Sequence, residues 1–253
     1  MNNIDNEQLE RYSRQIIINK LGIKGQKKIF NTSVCIIGCG GLGTSAAQYL
    51  VMSGIQKLIL IDNDKISLSN LNRQTLFFEE DIGKSKVEVL KKNLLKINSL
   101  AKIKVFKKNI SSKNISPLTS NYKIILDCTD NFKSRYVINK FCSNKKKILI
   151  GAALQNFDLQ AFAFAPWKRN NLPCYNCIFP NQHSSTTEQS CDSMGIIAPV
   201  AGLGGVLQAV TTIKTFISPS LNIFKELIIF DTFNSNFIKI KIAKNSKCKV
   251  CKT

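Results

Sequence analysis

Gly38, Gly40 and Gly43 stand in G-x-G-x-x-G spacing, with Gly41 between them, directly after an apolar run at residues 34–37. A turn of this kind suits a phosphate. The first glycine permits a tight turn, the second lets the anion approach the backbone, and the third lets a following helix pack closely. Unpaired N–H groups at the start of that helix favour negative charge. Asp62 ends the next apolar run, at 58–61, where an acid can accept a hydrogen bond from a ribose hydroxyl. The competing reading is a structural turn whose glycines only pack. A second constellation is Cys174/Cys177 with Cys248/Cys251, two C-x-x-C pairs about seventy residues apart. Four thiolates at that spacing suit a closed tetrahedral Zn²⁺ site, structural because no position stays open. It would pin the tail to the middle of the chain; redox-active pairs or a lost metal site are the alternatives.

Those residues need a scaffold. A polar, amphipathic segment at 6–20 reads as a helix. Strands are expected at 34–37, 58–61, 103–106, 124–126 and 148–150, with helices from the glycine turn to about 52, at 82–97 and at 132–143. Alternating strands and helices imply a doubly wound, mostly parallel α/β sheet of Rossmann-like type. Beyond Gly151 the pattern changes, with antiparallel strands expected at 159–164, 227–230 and 237–242 and a helix at 195–217. No Pro/Gly/Ser-rich linker divides the halves, so residues 1–253 read as one domain. N-terminal helices occupy 1–32, a nucleotide-binding half 33–151, and a second half, with the cysteine pairs, 152–253.

With 44% apolar and 21% charged residues, the 253-residue chain can bury a substantial core. The start of the sequence is polar and shows no secretory signal. The nine cysteines are an odd number, which disfavours a disulfide framework and suits a reducing cytoplasm. The apolar stretch at 195–213 is long enough to suggest a membrane span. Its glycines, Pro199 and Gln208 fit a buried or interfacial helix better, so no span is expected. A net charge of +20 points toward nucleic acid, but it is carried mostly by scattered lysines, with only five arginines. No nucleic-acid partner is expected; a basic face would equally serve an acidic protein. His183 is the single histidine, which leaves no His pair for catalysis.

On its own the glycine loop suits NAD as well as ATP, and an NAD-dependent oxidoreductase remains an alternative. The neighbouring motifs point elsewhere. Glu10-Arg11-Tyr12-Ser13-Arg14-Gln15, Asp62-Asn63-Asp64, Ser69-Asn70-Leu71-Asn72-Arg73-Gln74, Gly83-Lys84-Ser85-Lys86 and Asp127-Cys128-Thr129-Asp130-Asn131 follow one another along the chain. In that order they resemble the adenylation core of the ThiF/MoeB/HesA family, relatives of ubiquitin-activating enzymes. The resemblance covers nearly the whole chain. It implies that ATP adenylylates the C-terminal glycine carboxylate of a small ubiquitin-like sulfur-carrier protein ending in Gly-Gly, releasing pyrophosphate. A persulfide donor would then supply sulfur to the adenylate, and the enzyme would be a homodimer. The nucleotide would lie against Gly38, Gly40, Gly41, Gly43, Asp64, Leu71, Asn72 and Asn131. By the same resemblance Asp62 binds the ribose, Asn70 and Gln74 position phosphates, Arg73 and Lys86 supply fixed positive charge, and Asp130 holds Mg²⁺. Arg14 would reach the ATP of the neighbouring subunit. Taken singly, Arg73, Lys86 and Arg14 read as solvated charges, and Asp130-Asn131 could cap the helix that follows.

Within the family, Ala165-Pro166-Trp167 ahead of Cys174-Tyr175-Asn176-Cys177 resembles the ThiF branch, which implies thiazole synthesis for thiamine. The molybdopterin branch is the runner-up, and the absence of a rhodanese-type domain after Cys251 disfavours the fused enzymes of tRNA thiolation. Cys191 matches a cysteine that can link covalently to the carrier in ThiF-like proteins.

Overall fold

Ser33–Ile37 (β1), Lys57–Ile61 (β2) and Ile124–Asp127 (β4) are short apolar runs buried along almost their whole length, as strands covered on both faces must be. With Lys102–Phe106 (β3) and Ile148–Gln155 (β5) they form a parallel array. Asp158–Phe164 (β6), Glu226–Asp231 (β7) and Asn236–Lys241 (β8) add to β5 antiparallel. The computed structural model describes residues 4–180, 195–217 and 220–251. In it the eight strands make one sheet in the order β3-β2-β1-β4-β5-β6-β7-β8. The α/β, Rossmann-like, mostly parallel sheet with an antiparallel extension is therefore observed. The order reverses between β1 and β4, and the carboxyl ends of those two strands open a crevice there.

The helices are Asn6–Ile16 (α1), Gly22–Asn31 (α2), Gly41–Met52 (α3), Lys86–Ile97 (α4), Ile115–Thr119 (α5), Phe132–Asn144 (α6), Tyr175–Ile178 (α7) and Ala198–Ile217 (α8). Three differ from expectation for local reasons. The first helix stops at Ile16, and Gly22, at φ +58°, admits the turn that starts α2. The helix expected from 82 begins at Lys86, because Gly83 adopts φ +84° and residues 83–86 instead bond to 64–66. The helix expected from 195 begins at Ala198, because the Asn156 N–H donates to the Gly195 carbonyl and the Asn156 carbonyl accepts from the Ile197 N–H, a bridge that pairs Ile196 with Asn156. Helix α2 lies within the N-terminal helical region of 1–32, and α5 and α7 fall where no helix is expected.

By length and composition α8 could cross a bilayer, yet it lies across α3 and strands β5 and β6. Small residues make this approach possible. A Cβ on Gly205 would stand 2.5 Å from the Leu42 carbonyl oxygen, and Ser45 Oγ donates to the Gly202 carbonyl at 2.9 Å. The main core fills the space between the sheet and α3, α4 and α8; a second cluster on the opposite face gathers around Cys35, Ile125, Phe164 and Tyr175.

Candidate active site

The glycine turn has three distinct geometries. Gly38 has φ +92°, and a Cβ there would meet the Cys128 carbonyl oxygen at 2.5 Å. At Gly43 a Cβ would come within 2.0 Å of the Gly38 carbonyl oxygen, so this glycine closes the turn against its own beginning. Gly40 differs: only Gln74 Nε2, at 3.7 Å, lies near its Cβ direction. The backbone is thus open where a phosphate would approach. Gly40 is also the N-cap of α3 and brings no side-chain hydrogen bond to the helix start. The first N–H groups of α3 remain free for an anion.

Around this turn lies a cleft of about 430 Å³. It gathers Gly38, Gly40, Gly41, Asp62, Asp64 and Asn70 with Arg73, Gln74, Lys86, Asp130 and Asn131. Gly43, Leu71, Asn72 and Arg14 do not line it. Gly43 sits inside the turn and Leu71 packs on the core. Asn72 is exposed and accepts from Arg73 Nη1 at 3.0 Å. Arg14 is exposed on α1, a helix anchored by buried Tyr12, whose hydroxyl accepts from Asn98 at 2.9 Å.

Asp62 leaves β2 directly beneath the turn. Its Oδ2 accepts from the Cys39 N–H at 2.7 Å and its Oδ1 from the Asp64 N–H at 2.8 Å. Burial pushes its carboxyl above the ordinary carboxylate value, with those two N–H groups opposing the shift. Each oxygen keeps a lone pair for a ligand hydroxyl. Lys86 is delivered by the pairing that delays α4. Its N–H donates to the Asp64 carbonyl at 3.0 Å and its Nζ to Asp64 Oδ2 at 2.9 Å. The lysine side chain is 8% exposed and the aspartate 57%. Arg73 is held from behind, Nη1 donating to the Ser69 carbonyl at 2.9 Å. Gln74 is buried, and its Oε1 has no partner among the described residues.

The opposite wall follows β4. Asn131 caps α6, its Oδ1 accepting from the Ser134 N–H at 2.8 Å, while Asp130 is exposed to the cleft. The capping reading is thus correct for Asn131. Sequence reasoning missed Arg135, which lines the cleft while paired with buried Asp127. It also missed 108–110 after β3 and 152–154 on β5. Asp127 already stood within a quoted motif, and an aspartate ending a strand two residues before a threonine was the available signal.

Cys174, Cys177, Cys248 and Cys251 bring their sulfurs within 4.8 Å of one another. Separations are 3.9 Å for Cys174–Cys177, 3.7 Å for Cys174–Cys248 and 3.4 Å for Cys177–Cys251. Four sulfurs each ~2.3 Å from a tetrahedral zinc would lie about 3.8 Å apart. The donor set and its spacing therefore fit zinc. Hydrogen bonds from the Cys174 thiol and from backbone N–H groups hold Cys177 below the ordinary thiol value. Asn139 of α6 braces the knuckle, accepting from the Tyr175 N–H at 3.0 Å and donating to Asn176 at 2.9 Å. Cys191 lies outside the described residues.

A family model described as the ThiF family matches residues 12–250. A protein from Aedes aegypti named adenylyltransferase and sulfurtransferase MOCS3 is 37% identical over 254 residues, covering 99% of this chain and 57% of the relative. The chain thus spans a little over half the length of the MOCS3 relatives it matches. A Thermus thermophilus protein named sulfur carrier protein adenylyltransferase is 31% identical over 247 residues, covering 97% of this chain and 91% of the relative. Among solved structures, E. coli MccB with ATP superposes with a TM-score of 0.82 at 29% identity, covering 96% of this chain and 75% of that one. MccB with MccA-N7isoASN gives 0.84 at 29% identity, covering 99% and 76%.

Proposed function

The chain belongs to the ThiF family, and from that premise we propose that it adenylylates the C-terminal carboxylate of a small sulfur-carrier protein. One observation carries the reading: an open glycine turn at a helix start, a cation at Lys86, a second at Arg73 and a carboxylate at Asp130 share one cleft. The carrier carboxylate attacks the α-phosphorus of ATP. A new P–O bond forms, the bond from that phosphorus to the bridging oxygen of the β-phosphate breaks, and pyrophosphate departs with the electron pair. Negative charge grows on the departing group, so catalysis rests on positioning and fixed positive charge.

The chain's own residues divide that work. The Gly40 turn and α3 receive phosphate oxygens, Lys86 and Arg73 face the developing charge, Gln74 fills the gap behind Gly40, and Asp62 accepts from the ribose. Asp130, an exposed carboxylate facing the cleft, suits a hard cation. Mg²⁺ held there by Asp130 would supply positive charge that offsets the negative charge of the phosphates. The chain works as one adenylation unit over 1–253, with 33–151 holding the nucleotide and 152–253 receiving the carrier and the zinc knuckle. Arg14 points outside its own cleft, which supports a homodimer in which it serves the partner's nucleotide. A covalent link through Cys191 would form by attack of its thiolate on the carbonyl of the carrier adenylate, with AMP leaving as the acyl–oxygen bond breaks, and a persulfide donor would be the source of the transferred sulfur.

For the pathway, the Ala165-Pro166-Trp167 segment favours a thiamine-type carrier. A molybdopterin-type carrier is the second reading. Incubation with ATP, Mg²⁺ and each carrier in turn should make one carrier heavier by a single adenylyl group, with one pyrophosphate released. Unmodified carriers of both types under conditions where ATP binds would refute the proposal.

A further inference from the structure

Asp127 closes β4 without solvent exposure, and both of its carboxylate oxygens are engaged. Oδ1 accepts from the Thr129 N–H at 3.0 Å and from the Thr129 hydroxyl at 2.6 Å. Oδ2 accepts from Arg135 Nε at 3.0 Å. Arg135, on α6, then donates through Nη2 to the Thr129 carbonyl and to the Ala152 carbonyl of β5, each at 3.0 Å. Its guanidinium is flanked by the rings of Phe162 and Tyr175, 5.9 and 5.7 Å from their centroids. From the other side of the sheet, Gln208 of α8 donates to the Asp127 carbonyl at 2.9 Å.

A buried ion pair is a weak source of stability, because removing both charges from water costs about as much as their attraction returns. Here the pair has a geometric consequence. It grips Thr129 twice, by N–H and hydroxyl through Asp127 and by carbonyl through Arg135. Thr129 immediately precedes Asp130, whose side chain, among the described residues, meets only the Asn131 amide at 3.2 Å. The direction in which Asp130 enters the cleft is therefore set by the clamp on Thr129. Ala152 ties the same clamp to β5, the strand beside β4.

We infer that Asp127 and Arg135 are positioning residues that fix the Thr129 backbone so that Asp130 presents its carboxylate to the divalent cation on the triphosphate. This rests on the role proposed above for Asp130. Partners that orient a metal ligand typically matter by about 10–100-fold in metal affinity or activity. Arg135→Lys keeps the charge but loses the three-way donor fork. Thr129→Val removes the hydroxyl contact and leaves the buried pair intact.

The test is a Mg²⁺ titration of ATP binding by calorimetry on the full chain, alongside ATP binding without metal, with thermal melts to verify folding. Metal-free ATP affinity, measured for each variant, is the reference against which its Mg²⁺ requirement is read. The Mg²⁺ requirement should rise about 10–100-fold for Arg135→Lys and more modestly for Thr129→Val. In an Asp130→Asn background, Arg135→Lys should add nothing further, since the two act through one group. An unchanged Mg²⁺ requirement in both variants overturns the clamp alone. So does a loss in Arg135→Lys with none in Thr129→Val, which would mean that Arg135 acts on the substrate directly. Should Arg135→Lys not fold, Thr129→Val decides by itself. Absence of Mg²⁺-dependent ATP binding in the wild type overturns both the clamp and the function on which it rests.

Discussion

At the scale of single residues, Lys86 shows how the cleft keeps a cation ready. Its ammonium is almost buried, and its neighbour is the exposed carboxylate of Asp64 at 2.9 Å. Such a half-exposed pair is worth little to stability, so a triphosphate can take over the lysine at small cost. Lys86→Ala should therefore leave thermal stability nearly unchanged while lowering the adenylylation rate by roughly 10²–10³. Steady-state pyrophosphate release measures this, and a wild-type rate would remove Lys86 from the mechanism. Asp62 supplies a pH signature. Burial raises its carboxyl above the ordinary value, so on acidification it protonates before an exposed carboxylate does. Protonation removes the ionised acceptor for the ribose, and ATP affinity should begin to fall at a higher pH than a surface carboxylate would dictate. Calorimetry at descending pH reads the inflection, and Asp62→Asn should abolish it. An inflection that survives Asp62→Asn belongs to another group. The glycine turn and Asp62 were legible in local spacing, whereas Lys86 and Asp130 entered through the family resemblance; the structure brings all of them to one cleft. Arg135 was not legible, because its role depends on β5 lying beside β4, where Asp127 pairs with Gly151 and Ala152 follows.

Secondary-structure elements set where those residues meet. The core strands were readable because buried parallel strands are short continuous apolar runs. Their ends were less so. The start of α4 is decided by pairing of 83–86 with 64–66, a contact between segments that no helical periodicity reveals, and the same contact delivers Lys86 to Asp64. The long α8 reads as apolar all round, yet its small-residue face is what lets it press on the glycine-loop helix. The cysteine pairs were legible by spacing alone, while the Asn139 brace was invisible because it comes from α6. The knuckle joins α7 to the C-terminal segment, so metal removal should loosen both. We expect about one zinc per chain by elemental analysis. Chelation that costs even about 3 kcal/mol should lower the melting temperature by roughly 6–12 °C. Metal-free protein with an unchanged melting temperature would show that the four thiols need no ion.

For the whole molecule, the decisive feature is one sheet whose strand order reverses between β1 and β4. That reversal opens the crevice into which the glycine turn, Asp62 and Asp130 all project. Arg14 alone of the expected cations stands elsewhere, since α1 holds it at the surface. A homodimer supplying it in trans makes a quantitative prediction. Arg14→Ala and Asp130→Ala, each inactive alone, should on mixing regain roughly a quarter of wild-type activity, because half the dimers are mixed and each has one intact site. Mixed samples as inactive as their parents would show that Arg14 does not serve the neighbouring subunit's site. The net charge of +20 offers an acidic carrier a favourable approach. The convergence of turn, cations and carboxylate on one triphosphate, with a protein tail as nucleophile, is tested most directly by carrier-dependent exchange of labelled pyrophosphate into ATP. Exchange should appear with a carrier ending in Gly-Gly and vanish when those two glycines are removed. ATP binding with no exchange in the presence of thiamine-type and molybdopterin-type carriers would contradict adenylylation of such a tail.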